Sequence, residues 1–288
     1  MERILFYFIL GVSRLPFSVL YALSDVLFFM NYYIIRYRRK IITENIAKSF
    51  PEKTEEERKK IIKKFHKNLS DYLVENIKGL TISEEEFRKR MIFTNIEEIP
   101  SSEERNIMAL SGHVFNFEWY SSLMLQTDYE GFYYIYKPLR NKFLNDKINQ
   151  FRGRFNAEGI PAKLTLRRIV SIPNNGKHIL YFLSDQSPKK GTIKYSLPFL
   201  NQETPVYRGY EDIVNKYNQI PLYVDMVKLK RGYYQTTFHE IKPRNGIKFE
   251  KNELVHAFFD HLTQTIQRNP DNWLWSHKRW KSKKGIDF

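Results

Sequence analysis

The stretch Asn106-Ile107-Met108-Ala109-Leu110-Ser111-Gly112-His113-Val114-Phe115-Asn116-Phe117-Glu118-Trp119-Tyr120 decides how this chain is read. Its apolar first half has the length and composition of a buried strand, and Ser111-Gly112 closes that strand with a turn. His113 then opens a helical stretch that carries Glu118. In open α/β sheets the strand ends are where reacting groups are displayed. A histidine at such a turn can act as a general base if a carboxylate holds its far nitrogen and stabilises the imidazolium. Glu118, five residues on and little more than one helical turn away, has a side chain long enough to curl back to His113.

Outward from this turn, short β-rich runs at 91–95, 106–110, 131–136, 178–184, 221–228 and 233–241 alternate with helical stretches near 115–126, 141–155, 163–172, 204–217 and 250–268. Strand–helix alternation predicts an α/β fold with a central, largely parallel sheet flanked by helices. Ahead of the sheet, Thr54 and Glu57 form a capping box. Ile61, Phe65, Leu69, Tyr72, Leu73 and Ile77 follow at helical spacing. No internal repeat, low-complexity tract or Gly/Ser linker divides the chain, so residues 36–288 read as one domain, with 36–90 as a basic helical lead-in.

The N-terminus has a different character. Residues 4–35 hold two charges, Arg14 and Asp25. These cut the tract into apolar pieces shorter than the ~20 residues that span a bilayer. A single span over 15–35 would place Asp25 near mid-membrane, at roughly 2.5–3.5 kcal/mol on insertion scales. The favoured expectation is a membrane-associated helical hairpin over 1–35, lying in one leaflet. A tilted span and a buried helix pair are the alternatives. No small-x-small site follows the apolar run, so a cleaved signal peptide is not expected. Between 36 and 68 the chain carries 12 Lys/Arg and 5 Asp/Glu, a net of +7. A basic run beside an apolar anchor suits an anionic leaflet and points to its cytoplasmic side.

Composition narrows the function classes. The 288 residues carry 47 Lys+Arg against 32 Asp+Glu, a formal net charge of +15, with 42% hydrophobic and 16% aromatic residues. Such a chain buries a core, and its negative mean hydropathy with one long apolar tract argues against a polytopic membrane protein. An excess of this size wants an anionic partner: nucleic acid, an anionic membrane, a phosphorylated lipid or an acidic protein. The absence of cysteine excludes disulfide scaffolds, thiolate metal sites and cysteine nucleophiles. No phosphate-binding Gly-rich loop and no Gly-x-Ser-x-Gly elbow is present. His256 and His261 are five apart, off the i, i+4 face that paired zinc ligands use.

The spacing His-x4-Asp/Glu is itself uninformative. With 7 histidines and 32 acidic residues in 288, chance supplies about one instance, and the chain has two, His113…Glu118 and His66…Asp71. Context separates them. His66 lies mid-helix among lysines, where a solvated side chain is expected, and His113 follows a strand and a turn. Asp185 ends the apolar run His178–Ser184 and lies on the same sheet edge as His113 if the two strands are parallel. It reads as a further carboxylate of the site, a substrate ligand or a turn cap. Lys189, Lys190 and Lys194 follow in a loop suited to phosphate contact or to plain solvation. Trp273, Trp275 and Trp280 with Lys278 and Arg279 read equally as an interfacial belt or as core with a basic rim.

The segment Ser111-Gly112-His113…Glu118 resembles the His-x4-Asp/Glu motif of the late acyltransferases of lipid A biosynthesis, within the lysophospholipid acyltransferase superfamily. Four further blocks keep the same order: Tyr37-Arg38-Arg39-Lys40 with Asn45…Glu52; Tyr136-Lys137-Pro138-Leu139 with Asn141 and Arg152-Gly153-Arg154-Phe155; Phe182-Leu183-Ser184-Asp185-Gln186 with Pro198-Phe199; and Trp275-Ser276-His277-Lys278-Arg279-Trp280-Lys281. Asn156 and Asn201 stand where that family commonly has Gly, or Gly or Ala; Asn tolerates left-handed backbone.

The resemblance implies a bacterial inner-membrane O-acyltransferase on the cytoplasmic face, with acyl carrier protein as donor and a hydroxyl of a lipid A precursor as acceptor. Transfer would be direct, without a covalent enzyme intermediate, cofactor or metal. In that reading His113 is the base and Glu118 orients it. Arg152 or Arg154 would serve the oxyanion or a phosphate, and Asp185 the substrate or the base. The positive charge suits both an acidic carrier and an anionic glycolipid. Acylation of a lysophospholipid or an aminolipid uses the same chemistry and is the alternative within the enzyme class. A membrane-tethered nucleic-acid-binding protein is the alternative outside it. No binding motif for nucleic acid is present, and the aromatics gather in apolar runs rather than alternating with lysine, so a nucleic-acid partner is not expected.

Overall fold

Ile107–Ser111 is a strand with every residue buried, as a strand covered on both faces of a parallel sheet must be. The computed structural model, which describes residues 2–99, 105–188, 193 and 195–280, places it centrally in a seven-stranded sheet. In chain order the strands are β1 (Met91–Thr94), β2 (Ile107–Ser111), β3 (Gly131–Tyr136), β4 (Ala157–Pro161), β5 (His178–Leu183), β6 (Ser196–Phe199), β7 (Gln202–Pro205), β8 (Ile220–Lys230) and β9 (Tyr233–Glu240). The sheet runs β1-β9-β8-β2-β5-β3-β4, and β6-β7 form a separate antiparallel pair. Every contact in the large sheet is parallel except the β8–β9 hairpin. The α/β expectation with a largely parallel sheet therefore holds.

The helices are α1 (Glu2–Ser13), α2 (Phe17–Phe29), α3 (Arg39–Ser49), α4 (Glu55–Gly79), α5 (Glu84–Arg90), α6 (Lys142–Arg152), α7 (Thr165–Ser171), α8 (Gly209–Tyr217) and α9 (Glu253–Arg268). Local chemistry starts several of them. Thr54 accepts from the Glu57 amide while the Glu57 carboxylate accepts from Thr54 N, which completes the capping box of α4. Asn141 caps α6 through the Leu144 amide at 3.0 Å. Asn156 and Asn201 both take positive φ, 54° and 60°, so they do the backbone work that Gly would otherwise do.

Two expectations give way, and strands β4 and β6 are not among the predicted runs. The stretch predicted helical near 115–126 is a run of 3-10 turns over Phe117–Leu125. The helix placed at 204–217 starts at Gly209, and its first residues belong to strand β7. Strand β4, an edge strand of small and polar residues, lacks the apolar density that marks the others. The terminal tryptophans resolve toward the core: Trp273 and Trp275 are buried, as is the Arg279 side chain, which donates to the Pro205 carbonyl.

At the N-terminus, α1 and α2 turn at Arg14–Pro16, and α2 lies along α4. Ile4, Leu5 and Phe8 of α1 and Val26 and Phe29 of α2 remain exposed. The helical stretch Phe17–Ile34 is long and apolar enough to cross a membrane by length and composition. Asp25, however, is not in apolar surroundings: it is ion-paired with Lys67 of α4 and with Arg231 of the β8–β9 turn.

Candidate active site

Parallel pairing of β2 with β5 sets Ser111 beside Leu183, so two residues further on His113 and Asp185 leave the same sheet edge together. The Ser184 amide donates to the Ser111 carbonyl at 3.0 Å and keeps the register past the strand ends. Space around Gly112 is tight on one side. A Cβ on it would stand 2.6 Å from the Leu262 side chain of α9 and 3.4 Å from the Asp185 carboxylate. A larger residue here requires the buried Leu262 side chain to shift, while the contact with Asp185 would be an ordinary one.

His113 Nδ1 lies 2.5 Å from Asp185 Oδ1. The other carboxylate oxygen accepts from the His113 backbone amide at 2.9 Å and from Trp273 Nε1 at 2.7 Å. Burial alone would push the Asp185 carboxyl up. The His113 charge and these three hydrogen bonds outweigh it and hold the pKa at about 2. Asp185 is thus an anion at neutral pH, and an anion at Nδ1 places the imidazole proton there. Nε2 keeps its lone pair, which is the tautomer a general base needs. Gln186 Nε2 stands 2.9 Å from His113 Nε2, and the Phe117 ring packs edge-on against the imidazole at 4.9 Å.

The carboxylate that serves His113 is therefore Asp185, and the expectation for Glu118 is corrected. Glu118 accepts from Arg152 Nε at 2.7 Å and Nη2 at 2.5 Å, a bidentate pair. The 3-10 run that replaces the expected helix carries Glu118 away from the imidazole toward α6. Arg152 lines the same cavity as His113 and lies over the Tyr134 ring. Arg154, the other arginine of the block, is not on the cavity. It donates to the Gly79 and Ile82 carbonyls and fastens the end of α4. Lys189, Lys190 and Lys194 lie outside the described residues.

The cavity that His113 faces has a volume of about 380 Å³ and walls of both kinds. Phe117, Phe132, Tyr181 and Leu183 supply apolar surface, while Glu118, Arg152 and Lys137 supply charge. Leu139 and Ile148 line it and are also exposed, so it opens to solvent beside α6. Phe6 of α1 packs edge-on against Phe143 of α6 at 5.6 Å, which puts the N-terminal hairpin beside this opening. Among the described residues no group of three or more His, Asp and Glu side chains is placed to hold a metal ion.

Two more residues support the His113 turn: Trp273, expected only as belt or core, and Glu75, which sequence reasoning passed over. Trp273 reaches Asp185 because residues 272–274 clasp the turn: Val114 and Trp273 form a β-bridge, Phe115 N donates to Asn272 O, and Leu274 N donates to His113 O. Glu75 of α4 lies under the same loop. It accepts from Asn116 Nδ2 at 3.2 Å, from Tyr234 OH at 2.6 Å and from Tyr21 OH of α2 at 3.1 Å. Burial raises its pKa. The helical register i, i+4 from Asp71 could have flagged Glu75 as a carboxylate on a buried face, but its partners are all distant in sequence.

Elsewhere the histidines are ordinary or structural. His66 is buried, at 0% exposure, between the rings of Tyr32 and Phe65. The expectation of a solvated helix position fails because the lysines of α4 sit on its other face. His256 meets the Tyr195 hydroxyl at 2.7 Å, and His261 stacks between Tyr223 and His239.

With a histidine, a buried anionic partner and a cleft of mixed walls in place, likeness to known proteins gives the context. The family model described as bacterial lipid A biosynthesis acyltransferase matches residues 3–282. Curated relatives include a lipid A biosynthesis palmitoleoyltransferase of Escherichia coli (strain K12) and a lipid A biosynthesis acyltransferase of Shigella flexneri. Each is 23% identical over 273 residues, covering 94% of this chain and 87% of the relative. A match over almost the whole length, carried by a chain whose sheet edge presents such a site, makes this protein a member of the bacterial lipid A biosynthesis acyltransferase family.

Proposed function

We propose that this acyltransferase moves an acyl chain from acyl carrier protein onto a hydroxyl of a lipid A precursor at the cytoplasmic face of the inner membrane, with His113 as general base. The observation that carries the reading is the 2.5 Å contact of His113 Nδ1 with buried Asp185, with His113 lining a cleft of apolar and charged walls. As the acceptor oxygen attacks the thioester carbonyl, its proton passes to His113 Nε2, and the ionised Asp185 stabilises the imidazolium that results. Collapse of the tetrahedral intermediate breaks the C–S bond, and the departing thiolate takes the proton from His113. Arg152, held flat by Glu118 on the cleft wall, keeps a permanent positive charge where a phosphate of the acceptor would lie.

The membrane part of the proposal rests on the hairpin over residues 1–35. Exposed Ile4, Leu5, Phe8, Val26 and Phe29 form an apolar surface that water does not favour. The exposed run Arg36–Lys40 beside it suits an anionic leaflet. Asp25 is already neutralised by Lys67 and Arg231, so the hairpin lies along the domain surface rather than threading a charge through the bilayer. The donor assignment is supported by the cation-rich rim, where Lys137, Arg140, Lys142 and Lys147 face one acid, Asp146, between 137 and 147; an acidic carrier is steered by such a patch.

The test follows labelled acyl chain from acyl carrier protein onto a lipid A precursor in mixed vesicles, with a lysophospholipid in parallel. His113→Ala is expected to lose at least 10²-fold in rate with an unchanged melting temperature. Transfer to the lysophospholipid alone moves the acceptor to that class. Full activity of His113→Ala refutes the base.

A further inference from the structure

Gln186 occupies the atom that the reaction needs. With Nδ1–H given to Asp185, the lone pair of His113 Nε2 accepts from the Gln186 carboxamide at 2.9 Å. No other hydrogen bond of that amide group is present among the described residues, so its second N–H is uncommitted. Gln186 follows Asp185 directly in the chain. One backbone segment at the end of β5 thus presents the partner of the base on one side of the imidazole and an amide donor on the other.

A tetrahedral intermediate requires a donor about 3 Å from where its oxyanion forms, and among the described residues no hydrogen bond joins either arginine expected for this task to His113. Arg154 is spent on the Gly79 and Ile82 carbonyls. Arg152 gives Nε and Nη2 to Glu118. Asn149, also on the cleft wall, donates to the Tyr136 hydroxyl. We propose that Gln186 is a catalytic residue: its carboxamide yields His113 Nε2 to the acceptor hydroxyl and donates to the carbonyl oxygen as that oxygen becomes the oxyanion. This rests on His113 being the base.

The movement required is about one hydrogen-bond length. When the acceptor oxygen sits within ~3 Å of Nε2, the thioester carbon bonded to it in the intermediate brings the carbonyl oxygen beside the displaced amide. The O–H proton goes to Nε2, a C–O bond forms, and the carbonyl π pair becomes the oxyanion that the Gln186 N–H stabilises. On collapse that pair re-forms the carbonyl as the C–S bond breaks, and the thiolate takes the proton back from His113. The amide then returns to Nε2. The same contact thus holds the base at rest and serves the intermediate during turnover.

The proposal separates from a simple plug by the sign of the effect. Gln186→Ala removes the donor, and kcat is expected to fall 10²–10³-fold, the loss typical of one oxyanion donor, with KM within a few-fold. A resting-state plug gives the opposite: equal or faster turnover, which overturns the proposal. Gln186→Glu keeps the shape and decides the matter if the alanine variant folds poorly. It is expected to be at least as slow, with the acid limb of the pH–rate profile moved to higher pH because a carboxylate now faces His113 Nε2. Retained wild-type kcat in Gln186→Glu also overturns the proposal. His113→Ala in the same assay keeps the two claims apart. Its inactivity beside an active Gln186→Ala sinks the role of Gln186 alone, whereas its full activity sinks the base and Gln186 with it.

Discussion

His113 and His66 stand in the same local pattern, each with a carboxylate five residues downstream, and the fold treats the two carboxylates alike. Glu118 turns from His113 to a bidentate pair with Arg152. Asp71 turns from His66 to Lys228, Arg231 and Ser24. What differs is what reaches the imidazole from elsewhere. His113 stands at the end of β2, where the neighbouring parallel strand delivers Asp185 to one nitrogen and Gln186 to the other. His66 sits mid-helix between Tyr32 and Phe65, and neither ring nitrogen has a partner among the described residues. Burial, with the Arg39 charge adding to it, pushes the His66 pKa down to about 4. Whether a histidine is paired with a carboxylate depends on what tertiary structure brings to it, and in neither case does the acid five residues downstream reach the imidazole.

The comparison breaks most sharply at Asp185. Asp185→Asn leaves His113 without an anion at Nδ1, as His66 already is, and removes the charge that stabilises the imidazolium. A fall in kcat of about 10⁴-fold is expected, the scale of such substitutions in catalytic triads. Steady-state kinetics on folded protein check it, and a loss below tenfold returns the orienting role to another group.

Glu118→Gln is expected to act less strongly and by a different route. It frees the half-buried Arg152 guanidinium on the cleft wall without touching the His113–Asp185 pair. Misplacing a positioning group costs about 10²-fold, here spread over kcat and KM. The acid limb of the pH–rate profile, which reports the base, should stay where it is. A shifted limb would show that Glu118 is coupled to His113 after all.

The smallest effects are expected at His66, and they are effects on stability. His66→Ala opens a cavity in a buried aromatic cluster, at a cost of about 2 kcal/mol. His66→Phe removes two buried polar atoms without emptying the site and should be neutral or stabilising by up to ~1 kcal/mol. The pH dependence has a definite sign. The folded pKa lies near 4 and the unfolded one near 6.5, so between them the unfolded chain binds the extra proton. The melting temperature of the wild type should therefore drop as pH falls from 6.5 to 4, and that part of the drop should vanish in His66→Phe. Turnover of the folded variants at pH 7 is expected to match the wild type.

How much was legible in advance follows from range. The capping box at Thr54, the apolar strands and the Ser111-Gly112-His113 turn are decided by residues within a few positions of each other, and these readings agree with the structure. Strand β4 and the pair β6–β7 are short and half polar, so only their partners define them. The 3-10 run over Phe117–Leu125 replaces the expected α-helix among large aromatics, whose packing against Tyr72, Phe87 and Tyr234 overrides local preference. Trp273 lies 88 residues from Asp185, and nothing in either neighbourhood announces the hydrogen bond.

By itself the sequence determined the α/β class, the long apolar strands of the central sheet, the strand end that carries His113 and, through its ordered blocks, the family. These depend on periodicity, turn chemistry and motif spacing, all of which are local. The tertiary structure alone decided which carboxylate serves the base, which arginine faces the cleft, and that His66 is buried while Asp25 is paired. Each of those outcomes is a competition between partners far apart in the chain, settled by parallel register and burial. A charged side chain in a low-dielectric interior goes to the counter-charge that reaches it with the best geometry, whatever its place in the sequence.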